Sequence, residues 1–126
     1  MKKSLVFITA LLLSLHLFAQ TKGYIDKDTK LFNVVSNIRQ DHQMFGYAKP
    51  NVKSPKLICI SVFTKDVKDN KYHCPLGAYY DTSGLPDGDN IYFVMLVNSF
   101  AKMKYVSAAK KETIFYIKKS CIDFSM

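Results

Sequence analysis

A run of seven apolar residues, Ile91 to Val97 (Ile-Tyr-Phe-Val-Met-Leu-Val), constrains this chain more than any other part of it. It is rich in β-branched and aromatic side chains, and it follows a segment, Asp81 to Asn90, that holds Ser83-Gly84 and Asp87-Gly88. Such dipeptides are turn chemistry, so the run predicts a strand. Alternate residues of a strand take opposite faces. Ile91, Phe93, Met95 and Val97 are therefore expected on one side, and Tyr92, Val94 and Leu96 on the other. Both sets are apolar, whereas a sheet covered on one face alternates apolar with polar. Both faces thus require cover, because monomers seldom expose large apolar patches. The sheet can curl over itself, a second protomer can make a homodimer, or a ligand or partner protein can supply the second layer. Tyr92, Val94 and Leu96 form the candidate binding face.

The other elements are read by the same rules. Asp28 or Thr29 suits an N-cap, and Leu31, Val34, Val35, Ile38, His42 and Phe45 recur at helical spacing, with Asn33, Asn37, Gln40 and Asp41 opposite them. Gly46 ends this predicted helix, and 46–55, with Pro50 and Pro55, reads as a loop. Leu57 to Phe63 is a strand, Lys65 to Lys71 a polar turn, and Leu76 to Asp81 the strand that returns antiparallel. Ala101 to Val106 alternates as a strand, with a helix over 99–110 as its rival; Thr113 to Ile117 and Cys121 to Phe124 are the last strands, separated by a turn at 118–120. The expected class is α+β, an N-terminal helix packed on an antiparallel sheet of about four to five strands. Cystatin-like and related curved-sheet folds share that plan, an analogy of architecture that carries no function.

Residues 1–19 read as a cleavable export signal. Met1-Lys2-Lys3 is a short basic start, Leu5 to Phe18 is apolar but for Thr9, Ser14 and His16, and Ala19-Gln20 offers a small residue at the cleavage point, with the bulkier Leu17 at −3. The run is short for a membrane anchor, which needs about 20 apolar residues. Its Lys-Lys, Leu-rich form resembles bacterial export signals, so a periplasmic, cell-surface or secreted protein is expected, with no membrane span after cleavage. Of 126 residues, 19 are removed and 107 remain, one domain from 20 to 126. Two of the 18 basic residues and none of the 10 acidic ones lie in the signal, so the remainder carries +6. Arg39 is its single arginine, and bidentate reading of phosphates and bases is chiefly arginine work. Nucleic acid is therefore not an expected partner. Scattered lysines make a solvated surface with some attraction for an acidic envelope component.

No residue set carries an evident chemistry. His73-Cys74 adjoins a thiol and an imidazole, but neighbours on an extended chain face opposite ways. No paired spacing of His and Cys suits zinc. Asp81, Asp87 and Asp89 lie in one loop but lack the ligand order of a calcium hand. No phosphate-binding loop or nucleophile elbow occurs. No catalytic residue, metal or cofactor is assigned. If one disulfide forms, Cys74–Cys121 is the expected pair, with Cys59 left as a buried thiol: in an antiparallel 57–63/73–80 hairpin, Cys59 falls opposite position 77, too far from Cys74. The expected function is that of an exported binding or inhibitor-like module acting by surface contact with another macromolecule. The alternatives are a self-associating structural envelope protein and a small thiol hydrolase using Cys74.

Overall fold

Phe32 and Val34 are buried while Leu31 and Asn33, which alternate with them, are only half-buried, an alternation of two rather than a helical repeat. The computed structural model describes residues 23–34 and 43–124, and in it this segment is extended. Gly23–Ile25 forms β1 and Phe32–Asn33 forms β2; Gln43–Tyr47, the expected end of a helix, is strand β3. Among the described residues there is no N-terminal helix on a sheet, which corrects the α+β expectation and its cystatin-like plan. The three- and four-residue spacing of Leu31, Val34 and Phe45 arises because two separate strands each supply part of it. Val35, Ile38 and His42, like the export signal at 1–19, lie outside the described residues.

The protein is instead mostly β, with nine strands among the described residues rather than four to five. The remaining six are β4 (Lys56–Ser61), β5 (Ala78–Tyr79), β6 (Asn90–Val97), β7 (Phe100–Val106), β8 (Glu112–Lys118) and β9 (Ile122–Asp123). Helix is limited to one turn, α1 (Thr64–Val67), and 3-10 turns at Thr82–Gly84 and Lys119–Cys121. Six strands make one sheet in the order β5-β4-β3-β8-β7-β6, and β2-β1-β9 makes another. Residues 100–106 are strand, not the rival helix, because β7 pairs along its whole length with both β6 and β8.

The larger sheet curls until its two ends meet β2. At one end the Phe93 amide donates to the Lys30 carbonyl (2.9 Å), and Leu31 bridges Tyr92. At the other, the Val34 amide donates to Thr82 Oγ1 (3.1 Å) and the Thr82 amide to the Val34 carbonyl (3.2 Å). Inside the curl, Phe32, Ile58, Ile60, Ile91, Met103 and Phe115 are almost wholly removed from solvent. Each such side chain contributes about 1.5–3 kcal/mol of burial. Gly46 lies among them: a Cβ there would collide with the Phe115 ring and come within 2.6 Å of Ile58 Cγ2. The glycine read as a helix stop is thus a mid-strand residue over which an aromatic ring packs.

Two further expectations change. β4 and β5 are not a hairpin: they pair in parallel, with Cys59 opposite Ala78, and residues 62–77 cross over between them. Parallel pairing demands such a crossover, and α1 occupies the stretch read as a polar turn. β6, whose two apolar faces both called for cover, is the end strand of its sheet.

Candidate functional site

The β6–β7 hairpin carries three consecutive exposed apolar residues, Val94, Met95 and Leu96. Ile91 pairs with Tyr105, Tyr92 with Lys104 and Phe93 with Met103, but the register then shifts so that Met95 meets Lys102, Leu96 meets Ala101 and Val97 meets Phe100. Val94 is the extra residue of a β-bulge. The bulge reverses the alternation beyond it, since directly paired residues share a face. Ala101, Met103 and Tyr105 are the buried face of β7, so Leu96 lies on the same side as Ile91 and Phe93. Tyr92, Met95 and Val97 lie on the other, beside Lys104, Lys102 and Phe100. The expected set Tyr92, Val94 and Leu96 is therefore not one face.

Exposure follows position along β6 rather than side. Tyr92 is half-buried against the Leu31 bridge, whereas Val94, Met95 and Leu96 are 43 %, 52 % and 42 % exposed. Sequence reasoning missed Met95, which it placed on the side of Ile91, Phe93 and Val97 and not on the candidate binding face, and no glycine or charge marks the bulge that turns it to the other side. Curling of the sheet covers the first half of the run, Ile91 above all, and leaves the second half open.

Beside the hairpin's turn lies an open groove of about 570 Å³. Phe100, Ile122, Phe124 and Val52 supply its apolar lining, and Lys118 and Lys119 its charge. Three contacts fix its walls: the Lys119 amide donates to the Ser99 carbonyl (2.8 Å), Phe124 meets Phe93 edge-on at 5.6 Å, and Phe100 meets Tyr47 edge-on at 6.3 Å.

The cysteines lie elsewhere. Cys59 is fully buried on the face of β4 covered by the crossover, and Cys74, 3 % exposed, lies within that cover. Burial, then the neighbouring Cys74 and Asp66, push the Cys59 thiol up to about 12; burial also raises Cys74. An activated nucleophile needs the opposite shift. His73 is exposed with φ at +53°, while the Asn70 side chain clamps the Cys74 backbone, accepting from its amide (3.0 Å) and donating to its carbonyl (2.9 Å). All three cysteines are thiols and no pair is at disulfide distance, so the expected Cys74–Cys121 bridge is not formed. Cys121, in the turn before β9, packs against the main core, whereas Cys74 belongs to the crossover.

Under the same crossover, Asp66 is 3 % exposed and its Oδ2 accepts from Ser61 Oγ and Gln43 Nε2, each at 2.7 Å. Burial pushes this carboxyl up, but those two bonds and the charges of Lys71 and Lys65 outweigh it and hold it below the ordinary value. In the 81–90 loop, Asp81 accepts from Ser83 (2.5 Å), and Asp89 accepts from the Tyr105 hydroxyl and the Ala108 amide. These carboxylates hold turns and a buried phenol. Among the described residues no group of three or more His, Cys, Asp or Glu is placed to hold a metal ion.

No protein-family model matches the chain, and no match is found among curated proteins or solved structures.

Proposed function

We propose that this is an exported binding module without catalysis, acting by contact with another macromolecule through the bulged end of the β6–β7 hairpin. Export rests on the pattern of residues 1–19. The observation that carries the contact is the run of three exposed apolar residues, Val94, Met95 and Leu96, on an end strand. Met95 and Leu96 lie on opposite sides of the strand, so the apolar exposure wraps the hairpin end, and apolar exposure of this kind marks interaction surfaces. Natural edge strands are blunted by charge, proline or a β-bulge; this stretch has no charge or proline, and its bulge at Val94 leaves three apolar side chains in solvent. Lys102, paired with Met95, borders it with positive charge, while Lys104 beside it is ion-paired with Glu112. The complementary surface is therefore apolar with an acidic rim, as on an acidic envelope component.

The test compares the purified protein with Val94→Lys and Met95→Lys, after circular dichroism has shown both variants folded. Immobilised wild type should retain a component of envelope extracts that both variants lose. A wild-type dimer that the variants dissociate in sedimentation would instead make the hairpin a self-association surface, the structural-envelope alternative. Unchanged capture and unchanged sedimentation would remove the hairpin end from consideration.

A further inference from the structure

We propose that the groove beside the hairpin turn binds a free single-chain amphiphilic anion, an alkyl carboxylate being the simplest, with its chain along Phe100, Ile122 and Phe124 and its headgroup at Lys118 and Lys119. At about 570 Å³ the groove is of the size that holds small organic ligands. Its lining divides in two. Phe100 and Ile122 are almost wholly buried and form a fixed apolar floor, and Phe124 and Val52 stand above it, partly in solvent. The polar remainder is Lys118, Lys119 and two serine hydroxyls, Ser99 and Ser120; none of the described lining residues is acidic.

The two lysines are not committed elsewhere in the described structure. The ion pair of Lys104 with Glu112, at 3.8 Å, involves neither of them. Their position is set by structure rather than chance: Lys118 ends β8 opposite Phe100, and the Lys119 amide is held by the Ser99 carbonyl. Two adjacent cations at the lip of an apolar trough suit a ligand with one charged end and one apolar body. An uncharged hydrocarbon would leave the lysines unused, and a compact anion such as phosphate would leave the trough unfilled. The groove opens to solvent, so the headgroup stays hydrated and only the chain is buried, where each methylene adds affinity.

This inference stands on different residues from the hairpin contact, and its test separates the two. Titration calorimetry of the purified protein with dodecanoate should show saturable one-to-one binding. Decanoate, two methylenes shorter, should bind about tenfold more weakly. Lys118→Glu/Lys119→Glu should weaken dodecanoate binding by about tenfold or more, while Lys65→Glu, a change on α1, leaves it unchanged. Met95→Lys should keep dodecanoate binding even where it abolishes macromolecular contact. Dodecanol binding as tightly as dodecanoate would overturn the role of the lysines and the proposal with it. So would absence of dodecanoate binding, whether because a second copy closes the groove, seen as a dimer in sedimentation, or because anionic lipid vesicles bind and the free carboxylate does not.

Discussion

Val34 and Thr82, 48 positions apart, exchange amide bonds: the Val34 amide reaches the Thr82 hydroxyl, and the Thr82 amide reaches the Val34 carbonyl. This pair joins β2 to the chain leaving β5, and so ties one end of the curled sheet. Thr82→Val keeps the shape but strands the Val34 amide, at a cost of about 1–3 kcal/mol. Urea unfolding should show that loss, with Thr82→Ser recovering most of it. Equal stability of all three proteins would mean that the seam bears no part of the fold's cohesion.

Gly46→Ala should cost more. The added methyl meets the Phe115 ring and Ile58, both fixed in the core. Overpacking of this kind costs about 1–3 kcal/mol or more. The midpoint of thermal unfolding should fall accordingly, and adding Phe115→Leu should restore part of the loss. A neutral Gly46→Ala would place Phe115 somewhere other than over β3.

That glycine also shows where sequence reasoning stops. β4, β6, β7 and β8 were legible because each is an apolar or alternating run bounded by turn residues. β2 and β3 were not, since Leu31, Val34 and Phe45 happen to fall at helical intervals and Gly46 happens to follow them as a helix stop would. Only the distant partners, Phe115 over Gly46 and Thr82 beside Val34, reveal the extended chain. The apolar character of 91–97 pointed to the hairpin as a surface of interest. The bulge at Val94 is a matter of register with β7, so Met95 and Leu96 could not be assigned their sides from β6 alone.

Acid stability should depend on Asp66. Its folded carboxyl titrates below the ordinary range, held there by Ser61, Gln43 and two lysines against the push of burial. Its contribution is therefore complete above the unfolded value and is lost as pH falls through the lowered folded value. Wild type should lose stability progressively below about pH 4. Asp66→Asn should be less stable near neutrality, by about 1–3 kcal/mol, and have a flatter acid limb. Parallel acid limbs in stepped-pH urea unfolding would show that Asp66 titrates alike in the folded and unfolded chain.

At alkaline pH the controlling group is Tyr105. Burial, with the hydrogen bond to Asp89 and the nearby Tyr79, raises its phenol far above the usual value; Tyr47 and Tyr79 are raised chiefly by burial. For an acid whose folded value is raised, stability is complete below the unfolded value and falls as pH rises beyond it, above about pH 10. Absorbance titration of the folded protein should show a late-ionising class of tyrosines, from which Tyr105→Phe removes one. A single class at the ordinary value would mean that solvent reaches all of them.

Thiol labelling should follow burial. Iodoacetamide at neutral pH should modify Cys121, the partly exposed thiol, before Cys74 and Cys59, which should react only after unfolding. Peptide mass mapping of briefly labelled protein reads the order. Fast labelling of Cys74 in the native state would revive the thiol-hydrolase alternative.

Gly23 of β1 lies beside Ile122 of β9, in parallel, so the first and last described strands are neighbours in one sheet. A polypeptide emerging from a ribosome or a translocon does so amino end first. β1, with the core residue Ile25, must then wait for every strand from β2 to β8 before β9, which flanks it, comes out. Until that moment Gly23 and Tyr24 lack their β9 partners, and the intermediate is one that chaperones or a twin molecule can engage. The arrival of β9 decides when the smaller sheet closes, so chains cut short ahead of Ile122 should linger in that unfinished form however complete their larger sheet.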